Sequence, residues 1–187
     1  MRPVRLVVFG RQGAGKGTQC LKLSAHFGVP HISTGDMLRA AVEAGTPFGM
    51  KAKAIMDAGE LVPDDVMVGI VDERLGQDDA EPGFLLDGFP RTNDQADALD
   101  RLLGDRELVA AINLEVPEDV VIERMLARGR EDDTEDAIRR RLDLYLEQTA
   151  PLLDHYRKLG LLIEVDGVGS EEEVAGRLRS AIENRLG

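Results

Sequence analysis

The sequence predicts an α/β fold built on a parallel sheet. Strand-like apolar runs alternate with longer amphipathic stretches, the pattern of strands joined by crossover helices. Most of those runs are continuously apolar rather than alternating, as strands covered on both faces require. A glycine-rich turn, "GRQGAGKG", joins the first run to a helix-forming stretch. At 187 residues the chain is long enough for one domain that buries about 70% of its unfolded surface.

The strand candidates, in order, are "VRLVVF" (4–9), "VPHIS" (29–33), "GFLLDG" (83–88), "VAAINLEV" (109–116) and "GLLIEVDG" (160–167). From Ser33 to about Gly76 the sequence offers helices and no convincing strand, broken at Gly45-Thr46-Pro47 and Gly59. This predicts a helical insertion between the second and third strands. A short irregular piece, "RGREDD" (128–133), separates two further helices. Pro117 occupies a first helical position with Glu118 and Asp119 behind it, where a missing N–H is harmless and acids meet the positive helix end. "SEEE" (170–173) reads as a capping box, Ser170 as cap and Glu173 three residues on. Pro151 falls inside a helical run from about Thr134 to Lys158 and should kink or divide it.

The composition, 43% apolar and 31% charged, is that of a soluble globular protein. A formal charge of −12 argues against a general nucleic-acid surface, which would be basic. If this chain binds polyanions, it must gather its cations locally. The single cysteine, Cys20, permits no intramolecular disulfide and fits a reducing compartment. "MRPVRLVVFG" holds too short an apolar run for a signal peptide or membrane span, so the expected setting is cytoplasmic.

The loop "GRQGAGKG" nearly matches G-x-x-x-x-G-K-[ST], in which backbone N–H groups cradle phosphates and a hydroxyl goes to Mg²⁺. Gly10, Gly15 and Lys16 are in register, but Gly17 holds the hydroxyl slot and Thr18 follows one residue late. The strand–turn–helix setting is the one the motif needs, and Lys16 supplies a charge for the outer phosphates. Magnesium can be held elsewhere. Asp87 ends the apolar run of "FLLDGFPR", where a carboxylate can bind Mg²⁺ directly or through water.

Arginine matches phosphate bidentately and stays charged. Arg39, Arg91, Arg124, Arg128, Arg130 and Arg141 lie in segments that should end beyond the carboxyl edge of the sheet. Arg139 and Arg140 are expected to point elsewhere on their helix. His26, His31 and His155 show no metal-ligand spacing, and Cys20 reads as buried packing.

"GxxGAGKGT", "ISTGDMLR", "GELVPDDV", "DGFPR" followed by Gln95, and "RGREDDxxExxxxRL" occur in the order and spacing of adenylate kinases, and the resemblance spans essentially the whole chain. In that family the loop runs G-K-G-T, so Gly17-Thr18 is its ordinary form. The resemblance implies reversible transfer between Mg-ATP and AMP to give two ADP, on a five-stranded parallel P-loop sheet flanked by helices. It divides the chain into a core (1–32, 77–127 and 134–187), an AMP-binding insertion (about 33–76) and a short lid (about 128–133).

Position by position, the resemblance assigns Gly13, Ala14, Gly15, Lys16, Gly17 and Thr18 to the ATP phosphates, with Arg124 along the ATP and Gly167 and Gly169 near its adenine. Thr34, Arg39, Leu61, Val62, Gly88, Arg91 and Gln95 would hold AMP. Arg128, Arg130 and Arg141 would close on the transferring group, and Asp132 and Asp133 would act in lid closure. The short lid resembles the form without structural zinc, and no dimer stripe is evident, so a monomer is expected. Pyrimidine monophosphate kinases share the fold, but tend toward "SAGE" where this chain has "STGD". A nucleotide sensor without turnover is the other rival; it would not need Lys16, Asp87 and the lid arginines together.

The family usually carries proline where this chain has Gln12. Proline fixes φ near −65°, so Gln12 should loosen the loop. Gln12→Pro is expected to change nucleotide affinity or rate modestly in steady-state assays; unchanged kinetics would contradict this.

Overall fold

The computed structural model describes residues 3–187. Its sheet has five parallel strands in the order β2-β3-β1-β4-β5: β1 (Val4–Phe9), β2 (His31–Ser33), β3 (Gly83–Asp87), β4 (Ala110–Glu115) and β5 (Leu162–Asp166). Each expected strand is present, the first with its expected bounds and the others trimmed by a residue or two at one or both ends. Along β1, Val4, Leu6 and Val8 enter the core on one face while Val7 and Phe9 enter the core on the other. This two-residue period explains the continuous apolar runs, because successive side chains point to opposite, equally buried faces.

One core packs β1 and β4 against α1 (Lys16–Phe27), α6 (Glu118–Arg128) and α9 (Glu171–Leu186), through Leu23, Met125 and Leu178 among others. The other packs the sheet against α4 (Asp64–Leu75), α5 (Asn93–Leu103) and α8 (Ala150–Lys158), through Val71, Leu99 and Tyr156. Between β2 and β3 lie α2 (Thr34–Glu43), α3 (Pro47–Asp57) and α4, with no strand among them. The helix α7 (Glu135–Leu144) follows α6 after a short connection that Gly129 opens in the left-handed conformation.

Two local expectations are refined. Pro117 caps α6 with extended backbone instead of occupying its first turn, a position that also makes no demand on its missing N–H. The run from Thr134 to Lys158 is divided ahead of Pro151 by a π-helical stretch, Tyr145–Thr149. Proline cannot donate to the carbonyl one turn back, and a wider turn absorbs the break. The capping box at Ser170 and Glu173 is formed. Among the described residues no helix is long and apolar enough to cross a membrane.

The topology places a crevice between two neighbours. From β1 the chain leaves toward β2, and from β3 it crosses to β4 on the far side of β1. Ligands of open parallel sheets bind where such connections diverge, beyond the carboxyl ends of the strands. Ile112 lies fully buried in β4 beside β1. Ile112→Ala should cost about 2–5 kcal/mol, read as a lower urea midpoint at unchanged slope.

Candidate active site

The loop after β1 turns tightly into α1, with Gly15 as a left-handed cap. Gly13 has φ +82°, and a Cβ there would stand 2.7 Å from the Val121 carbonyl oxygen on α6. Only glycine lets the loop lie so close to that helix. Lys16 opens α1 and curls back, its Nζ donating to the carbonyls of Gly10 (2.8 Å) and Arg11 (3.2 Å). Burial pushes its pKa down, and the charge of Asp87 opposes that shift.

Asp87 ends β3, next to β1. Its Oδ2 lies 3.2 Å from His31 Nε2, and its backbone carbonyl accepts from Thr34 Oγ1 at 3.3 Å. Burial alone would raise its pKa, but His31, Lys16 and Arg91 outweigh that and hold it below the usual carboxylate range. Asp87 is therefore an anion at neutral pH.

Asp87 and Lys16 face a cleft of about 340 Å³, whose walls include Gly13, Thr18, Arg124 and Arg130. Gly15, Gly17, Arg39, Gly88, Arg91 and Arg128 line it too. An adjoining recess is walled by Thr34, Leu61, Val62, Gln95 and Arg141. Arg39, Gly88 and Arg91 belong to both. At Gly88, φ is +86° and a Cβ would stand 2.6 Å from Thr34 Oγ1, so only glycine lets the end of β3 turn this close to α2.

The arginines are held in defined ways. Arg91 Nε donates to the Gly88 carbonyl at 2.9 Å, and burial pushes its pKa down. Arg124 Nη1 donates to the Ala14 carbonyl at 3.2 Å. Arg39 pairs with Asp36 at 2.5 Å. Arg128 grips Asp133 bidentately at 2.6 and 2.9 Å. Arg141 pairs with Asp132, with Asp133 at 2.9 Å and with the Met56 carbonyl at 3.1 Å. Among the described residues no acid lies within ion-pair distance of Arg130, whose pKa is pushed down by burial and then by Arg39 and Arg128.

Not every expected residue lines the cleft. Ala14 is buried beneath the loop. Gly167 and Gly169 lie in the loop after β5, where the Gly167 N–H donates to the Glu115 carbonyl at 2.8 Å. Other residues were not anticipated. Asp64 Oδ1 accepts from Gln95 Nε2 at 2.8 Å, while Gln95 Oε1 accepts from the Arg91 backbone N–H at 2.8 Å. Arg140 reaches Glu60 at 2.6 and 3.1 Å, tying α7 to the loop after α3. Arg11 donates to the Val116 carbonyl at 3.2 Å and lies 5.7 Å over the Tyr145 ring. His31, dismissed on spacing, stands beside Asp87 because β2 and β3 are paired.

A glycine loop with its lysine, a strand-end carboxylate and a fringe of arginines at the divergence of a parallel sheet define a P-loop phosphoryl-transfer protein. The family model "Adenylate kinase" matches residues 8–161. A protein named adenylate kinase from Nocardia farcinica (strain IFM 10152) is 55% identical over 181 residues, covering 96% of this chain and 99% of that relative. Another, from Syntrophotalea carbinolica, is 47% identical over 212 aligned positions, covering 96% of this chain and 98% of the relative. A third, from Corynebacterium aurimucosum, is 54% identical over 181 residues, with 96% and 99% covered. The chain belongs to the adenylate kinase family. Its reaction is the reversible transfer of a phosphoryl group between ATP and AMP to give two ADP.

The Asp133 side chain is fully covered and holds two guanidinium groups. Burial raises its pKa, yet Arg128 and Arg141 bring it below the usual value. A depressed pKa contributes stability that is present above the unfolded value, about 4, and lost as pH falls through the folded one. Asp133→Asn should therefore destabilise the protein at pH 7 by about 1–3 kcal/mol. In denaturation at successive pH values, that deficit should shrink below about pH 4.

Proposed function

We infer that the two adjoining spaces hold the two nucleotides, triphosphate over the glycine loop and monophosphate against the helical insertion. The observation that carries this reading is that Arg91, Arg39 and Gly88 belong to both walls, so a group passing between them stays in contact with the same cations. Gly13 to Thr18 and Arg124 hold the ATP phosphates, and Gly167 and Gly169 meet the adenine through their backbone. Thr34, Leu61, Val62 and Gln95 seat the AMP base and ribose, with Asp64 fixing the Gln95 amide. Residues of about 33–76 act as the AMP-binding insertion and about 128–133 as the lid, on a core of 1–32, 77–127 and 134–187.

Transfer between two nucleotides asks for in-line placement and for charge stabilisation as negative charge redistributes. Lys16 exchanges the carbonyls of Gly10 and Arg11 for phosphate oxygens. Arg128 and Arg141 turn from Asp132 and Asp133 toward the transferring group, and Arg130 joins them from the lid. The AMP phosphate is itself the nucleophile, so these residues need supply no strong base. Closing Arg39 and the lid arginines around both nucleotides excludes water, which would otherwise accept the phosphoryl group.

The chemistry of Asp87 fits Mg²⁺: an ionised carboxylate at the strand end, on the cleft wall beside Lys16 and Thr18. It would hold the ion, directly or through water, and the ion would offset charge on the triphosphate. We assign no structural zinc to the short lid. The acidic chain is read as a cytoplasmic monomer with no nucleic-acid or membrane partner.

Removing one donor from such a site costs on the order of 10²–10³ in rate. Lys16→Met, Arg91→Ala and Arg141→Ala should each lose that much turnover in ADP-formation assays; falls below about threefold in all three would contradict the assignment. With AMP, CMP, UMP and GMP offered singly to Mg-ATP, AMP should be the strongly preferred acceptor. Preference for CMP or UMP would keep the phosphate roles and overturn those of Thr34 and Gln95.

A further inference from the structure

We propose that Cys20, His31 and Asp87 form a binding site for a thiophilic divalent cation of the zinc type, one that shares Asp87 with the magnesium position and adds a sulfur and an imidazole nitrogen. The sulfur, one imidazole nitrogen and a carboxylate oxygen all lie within 4.8 Å of one another. In a chain with 35 aspartates and glutamates, this is the one cluster of three metal-ligating groups that the described residues bring together.

Three elements create it. Cys20 sits on α1 one turn beyond Lys16, which directs both side chains to the same face. His31 lies on β2, and Asp87 ends β3, its paired neighbour. All three are buried or nearly so, with the His31 side chain 7% exposed and that of Asp87 9%. Asp87 also lines the cleft, so a cation has an entry path, and a water or a phosphate oxygen can complete the coordination.

Tetrahedral zinc with a thiolate, an imidazole and a carboxylate sets its donors about 3.3–3.8 Å apart. His31 Nε2 and Asp87 Oδ2, 3.2 Å apart, already stand at that spacing; the other separations, within 4.8 Å, need to contract by about 1.5 Å at most, a side-chain adjustment. Binding forms a sulfur–metal bond and breaks the S–H bond, with the proton leaving to solvent and no change of oxidation state. With thiolate and carboxylate bound the loaded site is neutral; one proton leaves for each divalent ion that enters, so the Asp87 anion that faces Lys16 in the metal-free protein is neutralised. A thiolate and an imidazole select zinc-like ions over magnesium, which prefers oxygen. Occupation takes Asp87 out of use, so such a cation inhibits the transferase. The inhibition rests on the magnesium role proposed for Asp87; the binding does not.

Cobalt(II) titrated into the nucleotide-free protein reports the site directly. One equivalent should develop an intense thiolate-to-cobalt charge-transfer absorption that zinc removes and excess magnesium does not. The band should vanish in Cys20→Ala, and affinity should fall about tenfold or more in His31→Gln. Absence of the band, or its survival in Cys20→Ala, overturns the site. Zinc-edge X-ray absorption of the wild-type protein gives a reading independent of any variant: one sulfur in the first shell is expected, and a shell of oxygen and nitrogen alone refutes the proposal. With Mg-ATP and AMP, equimolar zinc should inhibit the wild type and spare Cys20→Ala. Sulfur-ligated binding without inhibition would leave the site standing and overturn the magnesium role of Asp87.

Discussion

The structure depends on how an acidic chain keeps a concentrated set of cations in one place. Lys16, Arg39, Arg91, Arg124, Arg128 and Arg130 share one cleft, and like charges so close would repel in the absence of phosphate. All of these but Arg130 are held by a counterweight. Backbone carbonyls hold Lys16, Arg91 and Arg124, and aspartates hold Arg39, Arg128 and Arg141. On the proposed reading, phosphates entering the cleft would take over donors that are already aligned, so that part of the ordering cost of binding is met by the fold. The excess negative charge of the rest of the chain is compatible with this, because the local field and not the net charge meets the ligand.

The sheet supplies the geometry. Divergence of the connections after β1 and β3 puts the glycine loop and Asp87 side by side, and the helices between β2 and β3 hang over the same edge. Arg141 links these parts, reaching from α7 to Asp132 and Asp133 after α6 and to the Met56 carbonyl of α3. Arg140 makes a second tie to Glu60. The segments expected to move are thus already in contact, through ion pairs that water and phosphate can exchange, while the apolar cores on either face of the sheet stay fixed.

Much of this was legible in the sequence, for physical reasons. Strands buried on both faces must be continuous apolar runs, and all but the second, "VPHIS", were found that way. The glycine loop and the Ser170 box are local chemistry, complete within a few residues. What the sequence did not disclose are contacts between distant residues. Nothing near Gln95 points to Asp64, 31 positions away, yet that acid fixes its amide. His31 was set aside for lack of ligand spacing, but sheet pairing brings it to Asp87 across 56 positions. Pro151 announced a break, though not that a π-helical stretch would absorb it one turn earlier. Gly167 and Gly169 carry a role only by resemblance, since their loop lies apart from the cleft walls.

The most direct test is a crystal structure with two adenosines joined by five phosphates, a single ligand spanning both spaces. The account predicts its phosphates within hydrogen-bond reach of Lys16, Arg91 and Arg141, with one adenine at Thr34 and Gln95 and the other at the loop of Gly167 and Gly169. A ligand bound with its phosphates away from Arg91 and Arg141, or with both adenines outside those places, would contradict it.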